Sequence, residues 1–247
     1  MKNKHLLSNI FSNGKILLIF FLSIILLNNN LHSENKTELS SLQILEKTRH
    51  PYLIPGSGTF EGIAYSKKYG GKTQKFNILA NAKFSSSQMA IKLVFNDEEA
   101  YMVSQNFDDG MAGTTQIQLQ KTKKNKTSLA DIGIRPSDLT FSCLHWNFKE
   151  QLKNDSVRGR SCFVFRLQHP ETEEYIKACI DSKYFSPVKI QWFKNENEKK
   201  YYRELTLTDF EKINGIYIVK EFVVKNPGWK TKIKFENCAI TLDENKK

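Results

Sequence analysis

"YIKACIDSKYFSPVKIQWF", residues 175–193, contains two runs in which apolar and polar side chains alternate. Side chains of a β-strand point alternately to the two faces of its sheet, so each run predicts a strand with one buried face. Ser186 and Pro187 separate the two runs. The apolar face consists of Ile176, Ala178 and Ile180 before this break and of Val188, Ile190 and Trp192 after it. Either a second layer of the protein or a bound molecule must cover that face.

The same alternation recurs through most of the chain. Residues 59–120 and 161–242 contain alternating segments separated by turn residues, such as Gly70-Gly71 and Asn96-Asp97. We expect about ten strands, with a turn roughly every ten residues. Such regular spacing favours a mainly β domain whose antiparallel sheet curls into a barrel or a sandwich.

Two segments have the spacing of short helices instead. Residues 38–50 carry apolar side chains about three positions apart, and Pro51 predicts the end of this helix. Residues 134–152 predict one or two helical turns, in which Ser137 or Asp138 caps the first turn. Each helix is expected either to cover a bound molecule or simply to belong to the core.

Residues 1–33 have the layout of a secretory signal peptide. Lysines precede an apolar run at residues 16–27, and polar residues follow it at once. The run is too short to span a bilayer comfortably, so we expect cleavage after Ser33 and a single domain at residues 34–247. An uncleaved N-terminal anchor is the alternative. The first cysteine is Cys143, so no cysteine follows the apolar run to carry a lipid, and a soluble periplasmic product is expected.

The charge of the chain is positive but not extreme. It falls from +11 to about +8 when the predicted signal peptide is removed, because that segment contains three lysines and no acids. The basic residues are scattered along the sequence, and no base-stacking motif accompanies them. We therefore expect no nucleic-acid partner and, at most, a transient attraction to an anionic membrane surface.

The hairpin predicted at residues 161–180 raises the question of a disulfide. If its strands pair residues whose numbers sum to about 341, Cys162 lies opposite Cys179 on an outward face, and Val164 lies opposite Lys177. Neighbouring antiparallel strands permit such a bridge in an exported chain. The alternative is that these cysteines are buried and reduced.

No catalytic or metal-binding motif is recognisable. The histidines after the predicted signal are His50, His145 and His169. Cys143 and His145 are two positions apart, which would point them away from each other on a helix. Phosphate-binding and nucleophile motifs are also missing from the sequence. We therefore expect neither an enzyme nor a protein that needs a metal or another cofactor.

The ordered series of motifs in the second half resembles the outer-membrane lipoprotein-sorting proteins, the LolA-like group. The resemblance covers roughly residues 134–242, and it departs from the usual family pattern at Cys179, where relatives often carry tryptophan. The segments that carry it are "PSDLTFSCL" (136–144), "GRSCFVFRLQHP" (159–170), residues 175–193, "LTLTDFEKINGIYIVKEFVVKN" (205–226) and "KTKIKFENCAI" (230–240).

This resemblance implies an incomplete antiparallel β-barrel, a half-barrel with short α-helices as a lid over an apolar cavity. It implies a periplasmic carrier that takes acyl chains of lipoproteins, or lipids, from an inner-membrane donor towards an outer-membrane acceptor. The lid would include Leu42, Leu45, Leu144 and Trp146. The cavity wall would include Phe163, Phe165, Leu167, Ile176, Ile180, Ile190 and Trp192.

Three other interpretations remain open at this point. A scaffold or stress-sensing protein of the cell envelope could use the same half-barrel to bind a peptide or a protein partner. A plain β-sandwich would use its apolar face only as a core, which is the usual role of such a face. An envelope hydrolase is the third. An apolar, unfilled cavity beneath residues 138–148 would favour the carrier.

Overall fold

One antiparallel β-sheet contains most of the regular structure in the computed structural model of the protein, which describes residues 39–49, 55–96, 99–106, 117–121 and 129–243. Its strands, in chain order, are β1 Gly56–Lys68, β2 Thr73–Phe84, β3 Gln88–Phe95, β4 Glu99–Asn106, β5 Ile117–Lys121, β6 Asn147–Val157, β7 Arg160–Gln168, β8 Tyr175–Asp181, β9 Pro187–Phe193, β10 Arg203–Ile213, β11 Ile216–Asn226 and β12 Trp229–Leu242.

The sheet is an incomplete barrel. Its strand order is β5-β4-β3-β2-β1-β12-β11-β10-β9-β8-β7-β6, so β5 and β6 form two edges that do not pair with each other. Every hydrogen-bonded pair of neighbours is antiparallel. The predicted mainly β, half-barrel architecture is therefore confirmed, with twelve strands in place of the expected ten or so.

The positions of the turns show that the sheet is strongly curved. Ser85, between β2 and β3, and Phe185, between β8 and β9, line the same cavity. In the sheet order, β2 and β9 are five strands apart. A flat sheet would separate such strands by about 24 Å, so the sheet must bend around this cavity. We call the inner side the concave face and the outer side the convex face.

Short helices cover part of the concave face. Helix α1 spans Ser41–Arg49, and helix α2 spans Pro136–Thr140, between 3₁₀ turns at Ala130–Ile132 and Ser142–His145. Both predicted helical segments are confirmed, although the second one is shorter than expected. Asp138 acts as the cap from inside the helix, because its Oδ2 accepts the backbone N–H of Arg135 at 2.7 Å.

Strand β6 is the element that the sequence pattern missed. The helical prediction ran to residue 152, whereas the strand already begins at Asn147. As an edge strand, β6 is exposed along most of its length and shows little apolar alternation. Phe148 packs against Phe165 of β7, and this contact places β6 beside the core.

The register of the β7–β8 hairpin differs from the predicted one, so the predicted disulfide pairing is wrong. Cys162 lies opposite Asp181, and Cys179 lies opposite Val164. The loop closes with a hydrogen bond from the His169 N–H to the Glu174 carbonyl, which shifts the strands relative to the expected pairing. Both thiols are free and buried in a small apolar cluster on the convex face.

The described residues from Ser41 onwards form one compact unit. The predicted signal peptide, residues 1–33, lies outside the described residues and stays a prediction. None of the helices that the structure describes has the length and apolar character needed to cross a bilayer.

Candidate functional site

The main candidate site is a cavity of about 700 Å³ on the concave face. Helix α1 contributes residues 46–49, and the segment around α2 contributes residues 139–141, 144 and 145. The opposite wall comes from the β10–β11 hairpin, and the turns β2–β3 and β8–β9 complete the rim. The cavity therefore lies where the sheet, both helices and three turns meet.

Apolar side chains form most of the cavity wall. Leu139, Phe141 and Leu144 contribute from the helical side. From the sheet, Leu207 is almost fully buried, and Met89 is half-buried at the start of β3. The remaining apolar and aromatic lining residues are Tyr184, Phe185, Pro187, Phe210, Ile216, Tyr217 and Val219. Such a surface can shelter a hydrocarbon chain from water.

The rim of the cavity combines aromatic rings with lysines. The rings of Tyr184 and Tyr217 contact each other with centroids 5.0 Å apart. The ammonium of Lys183 lies 5.1 Å from the Tyr184 ring, and that of Lys212 lies 5.5 Å from the Tyr217 ring. These cations keep the mouth of an otherwise apolar cavity hydrated.

Arg49 joins the two helical parts of the wall. Its Nε donates to the carbonyl of Leu144 at 2.8 Å, and its Nη2 donates to the carbonyl of Trp146 at 2.9 Å. Its Nη1 pairs with Glu46 at 2.8 Å. Because one guanidinium satisfies one carbonyl within the 3₁₀ turn and one just after it, the C-terminal end of α1 stays next to the segment that follows α2.

A buried ion pair anchors α2 to the sheet. Asp138 of α2 pairs with Arg203 of β10, and both side chains are almost completely shielded from water. Arg203 also donates to Asn226 at 2.6 Å and to the carbonyl of Gly133 at 3.1 Å, and it stacks over Trp192. Burial raises the pKa of the Asp138 carboxyl, and the guanidinium of Arg203 opposes this shift.

The 3₁₀ turn before α2 is fixed in a similar way. Thr231 of β12 donates to the carbonyl of Ile132, and the same hydroxyl lies 3.1 Å from that of Ser66 in β1. Gly133 has φ of 72°, and a Cβ atom there would lie 1.7 Å from Nε1 of Trp229. Glycine is therefore required at this position for both backbone and packing reasons.

The predicted wall and lid residues fall into three groups. Leu144 lines the cavity. Phe163 and Trp146 are half-buried outside its lining, and Leu42 is 53% exposed. The others are at most 2% exposed: Leu45, Phe165, Leu167, Ile176, Ile180, Ile190 and Trp192. Most of the predicted wall residues are thus buried beside the cavity and do not line it, and their role in binding a ligand stays a prediction.

The residues that sequence reasoning missed belong mainly to the β10–β11 hairpin and to the turns. Leu207 and Ile216 lie in segments whose alternation was recognised but was not used to assign a wall. Ser85 and Met89 come from the other half of the sheet. No local sequence pattern predicts that these residues lie close together, because their proximity depends on the curvature of the sheet.

The thiols give no indication of a reactive site. Burial raises the pKa of the Cys143 thiol, and it raises the pKa of Cys179 to about 11. Both groups are therefore protonated at neutral pH and weakly nucleophilic. Among the described residues, no group of three or more His, Cys, Asp or Glu side chains has the arrangement needed to hold a metal ion.

Comparison with solved structures identifies the same fold in several proteins from bacteria. A DUF1329 family protein from Desulfovibrio piger superposes with a TM-score of 0.64 at 14% identity, covering 83% of this chain and 92% of its own. A putative outer membrane lipoprotein-sorting protein domain from Vibrio parahaemolyticus gives 0.59 at 10% identity, with coverages of 83% and 93%. A LolA superfamily protein from Nitrosomonas europaea gives 0.52 at 12% identity, with coverages of 83% and 94%.

The sequence comparisons give a family as well. None of the curated proteins compared with the chain matches it. A family model described as that of an uncharacterized protein matches residues 113–245, which is more than half of the chain. The resemblance inferred from the sequence motifs is confirmed at the level of the fold. The chain therefore belongs to the family of uncharacterized proteins whose model matches residues 113–245, and it has the fold of the LolA superfamily and of lipoprotein-sorting domains.

Proposed function

We propose that the protein is a non-enzymatic periplasmic carrier that binds an acyl chain of a lipoprotein or a lipid in the concave cavity. The observation that carries this proposal is the open, mainly apolar cavity of about 700 Å³ beside the α2 segment. This volume lies within the range of about 300–1,000 Å³ that is typical of small-molecule sites. A protein that used its concave face only as a core would fill this space with its own side chains.

The energetics of transfer suit a carrier. Shielding an acyl chain from water is worth about 0.8 kcal/mol per CH₂, and thus on the order of 10 kcal/mol for a long chain. A carrier needs an affinity close to that of the membrane, since much tighter binding would prevent release. The anchored helix α2 supplies a preformed wall, and the open rim leaves a route for entry and exit.

The remaining parts of the proposal concern its cellular setting. Residues 1–33 direct export and are removed, and residues 34–247 act in the periplasm. The cargo comes from an inner-membrane donor and passes to an outer-membrane acceptor. The similarity of the fold to a lipoprotein-sorting domain supports this direction of transport.

Binding of a fluorescent fatty acid to the purified protein tests the proposal. Met89 and Val94 are both half-buried apolar residues of β3, but only Met89 lines the cavity. We expect Met89→Glu to weaken binding at least tenfold, because a carboxylate inside an apolar wall must be desolvated when the chain enters. Val94→Glu is the matched control and should bind like the wild type.

Two results would contradict the carrier. One is a wild-type protein that binds no fatty acid and yields no lipid on extraction after purification from the periplasm. The other is equal binding by the Met89 and Val94 variants, which would place the ligand outside the cavity.

A further inference from the structure

The convex face of the sheet gathers lysines that are scattered in the sequence. In one row across the strands, Lys225 of β11 lies opposite Lys230 of β12, which in turn lies opposite Lys67 of β1. In the next row, Lys232 lies opposite Tyr65, and Tyr65 lies opposite Lys75 of β2. We call these five lysines the convex lysine patch. The patch is not visible as a cluster in the sequence, because up to 165 positions separate its lysines.

The patch is only partly neutralised by acids. Lys232 pairs with Glu221 at 2.6 Å, and Lys225 pairs with Glu204 at 3.2 Å. Within the described part of the chain, Lys67, Lys75 and Lys230 are exposed and have no carboxylate partner. Like charges directly opposite each other destabilise a sheet. The lysines within the Lys225–Lys230 and Lys230–Lys67 pairs therefore repel each other in the isolated protein. An anionic surface bound to this row would relieve the repulsion.

The hairpin turn beside the patch has the same character. Tyr69, between β1 and β2, is 84% exposed, and its N–H donates to the carbonyl of Gly228 at 2.8 Å. This bond holds the β1–β2 and β11–β12 turns side by side. Lys68 and Lys72 flank the tyrosine, and both are exposed. A tyrosine with lysines around it is the composition found where proteins meet the headgroup region of a bilayer.

We propose that the convex lysine patch and the Tyr69 turn dock the protein on an anionic membrane surface. The patch contains lysine and no arginine, which suits diffuse attraction to a charged plane better than bidentate recognition of carboxylates in an acidic protein. The four strands present their charges on one broad face and not in a groove. Because this face is opposite to the concave cavity, the mouth of the cavity stays accessible during docking. The docking does not depend on the proposed carrier function.

The expected strength follows from the number of charges. Each lysine near an anionic surface contributes about a fivefold increase in binding, and the effect decreases with added salt. The inference therefore predicts binding that depends on anionic lipid and is lost at high ionic strength. Docking would bring a carrier to a membrane before it exchanges cargo.

Co-sedimentation with vesicles tests this inference. The purified protein is mixed with phosphatidylcholine vesicles that either contain or lack phosphatidylglycerol. The test variant is Lys67→Glu/Lys230→Glu. The control is Lys194→Glu/Lys199→Glu, which has the same net charge but alters exposed lysines of the β9–β10 loop. We expect wild type and control to bind the anionic vesicles, and the test variant to bind at least about 25-fold more weakly.

Further comparisons in the same assay show which results would contradict membrane docking. Equal binding by the two double variants, or equal binding of wild type to both kinds of vesicle, would overturn the inference. So would binding to soluble poly-glutamate without binding to anionic vesicles, because this would indicate an acidic protein partner. Met89→Glu should sediment like the wild type, so a failure of the cavity proposal leaves this test unaffected.

Discussion

The two ends of the concave face are built from similar residues but differ in what fills them. At one end, Phe165 of β7 and Ile190 and Trp192 of β9 are at most 2% exposed. The buried pair of Arg203 and Asp138 closes this end through α2. At the other end, the β10–β11 hairpin leaves the neighbourhood of β9, and the cavity opens. The difference shows that alternation identifies a buried face, whereas chain geometry decides whether the protein itself fills the space above it.

Truncation at the filled end should have the largest effect on stability. Phe165→Ala removes a fully buried ring in close packing, so we expect a loss of about 4 kcal/mol in the free energy of unfolding, measured with urea. Phe163→Ala, on the same face of the same strand but only half-buried, is the matched control and should lose much less. Equal losses would mean that this end is not tightly packed.

Removing the charge of Asp138 should have the next largest effect. Asp138→Asn leaves the buried Arg203 without a counter-ion, so we expect the free energy of unfolding to fall by about 3 kcal/mol. This value is at the lower end of the range for broken buried ion pairs, because the amide oxygen of asparagine can still accept hydrogen bonds. Urea unfolding measures the loss, and Glu46→Gln, which alters an exposed pair, is the control. A loss below that of the control would show that α2 is not anchored by this pair.

Truncation at the open end should cost little. Met89 is half-buried and borders the empty cavity, so Met89→Ala should lower the free energy of unfolding by only about 1 kcal/mol. The same urea measurement compares it with Phe165→Ala. If the two losses were similar, the difference between the filled and the open end would disappear.

The thiols give the smallest effect and a check on the register. All four cysteines are free in the structure, and Cys238 is half-buried whereas the other three are buried. We expect four thiols per chain after denaturation without reductant, and in the native state Cys238 should react first with a thiol reagent. Cys238→Ser should remove this fastest phase. A Cys162–Cys179 bridge would instead reduce the count and restore the register predicted from the sequence.

The fold was largely predictable from the sequence because its signals are local. Alternation in residues 175–193 and the turn residues between strands gave a mainly β sheet, and the order of motifs gave the half-barrel. The site was less predictable, because Met89 and Leu207 meet only through long-range curvature. The convex lysine patch depends in the same way on the register of four strands. The register of the β7–β8 hairpin depended on a loop hydrogen bond that no sequence pattern specifies.

Photo-crosslinking with a fatty acid that carries a photoreactive group near the end of its chain tests the central claim most directly. After irradiation and proteolysis, mass spectrometry locates the labelled residues. The cavity assignment predicts labels on Met89, Leu139 or Leu207, and their loss when unlabelled fatty acid is added. Labels confined to the convex face, or labels that unlabelled fatty acid does not displace, would contradict it.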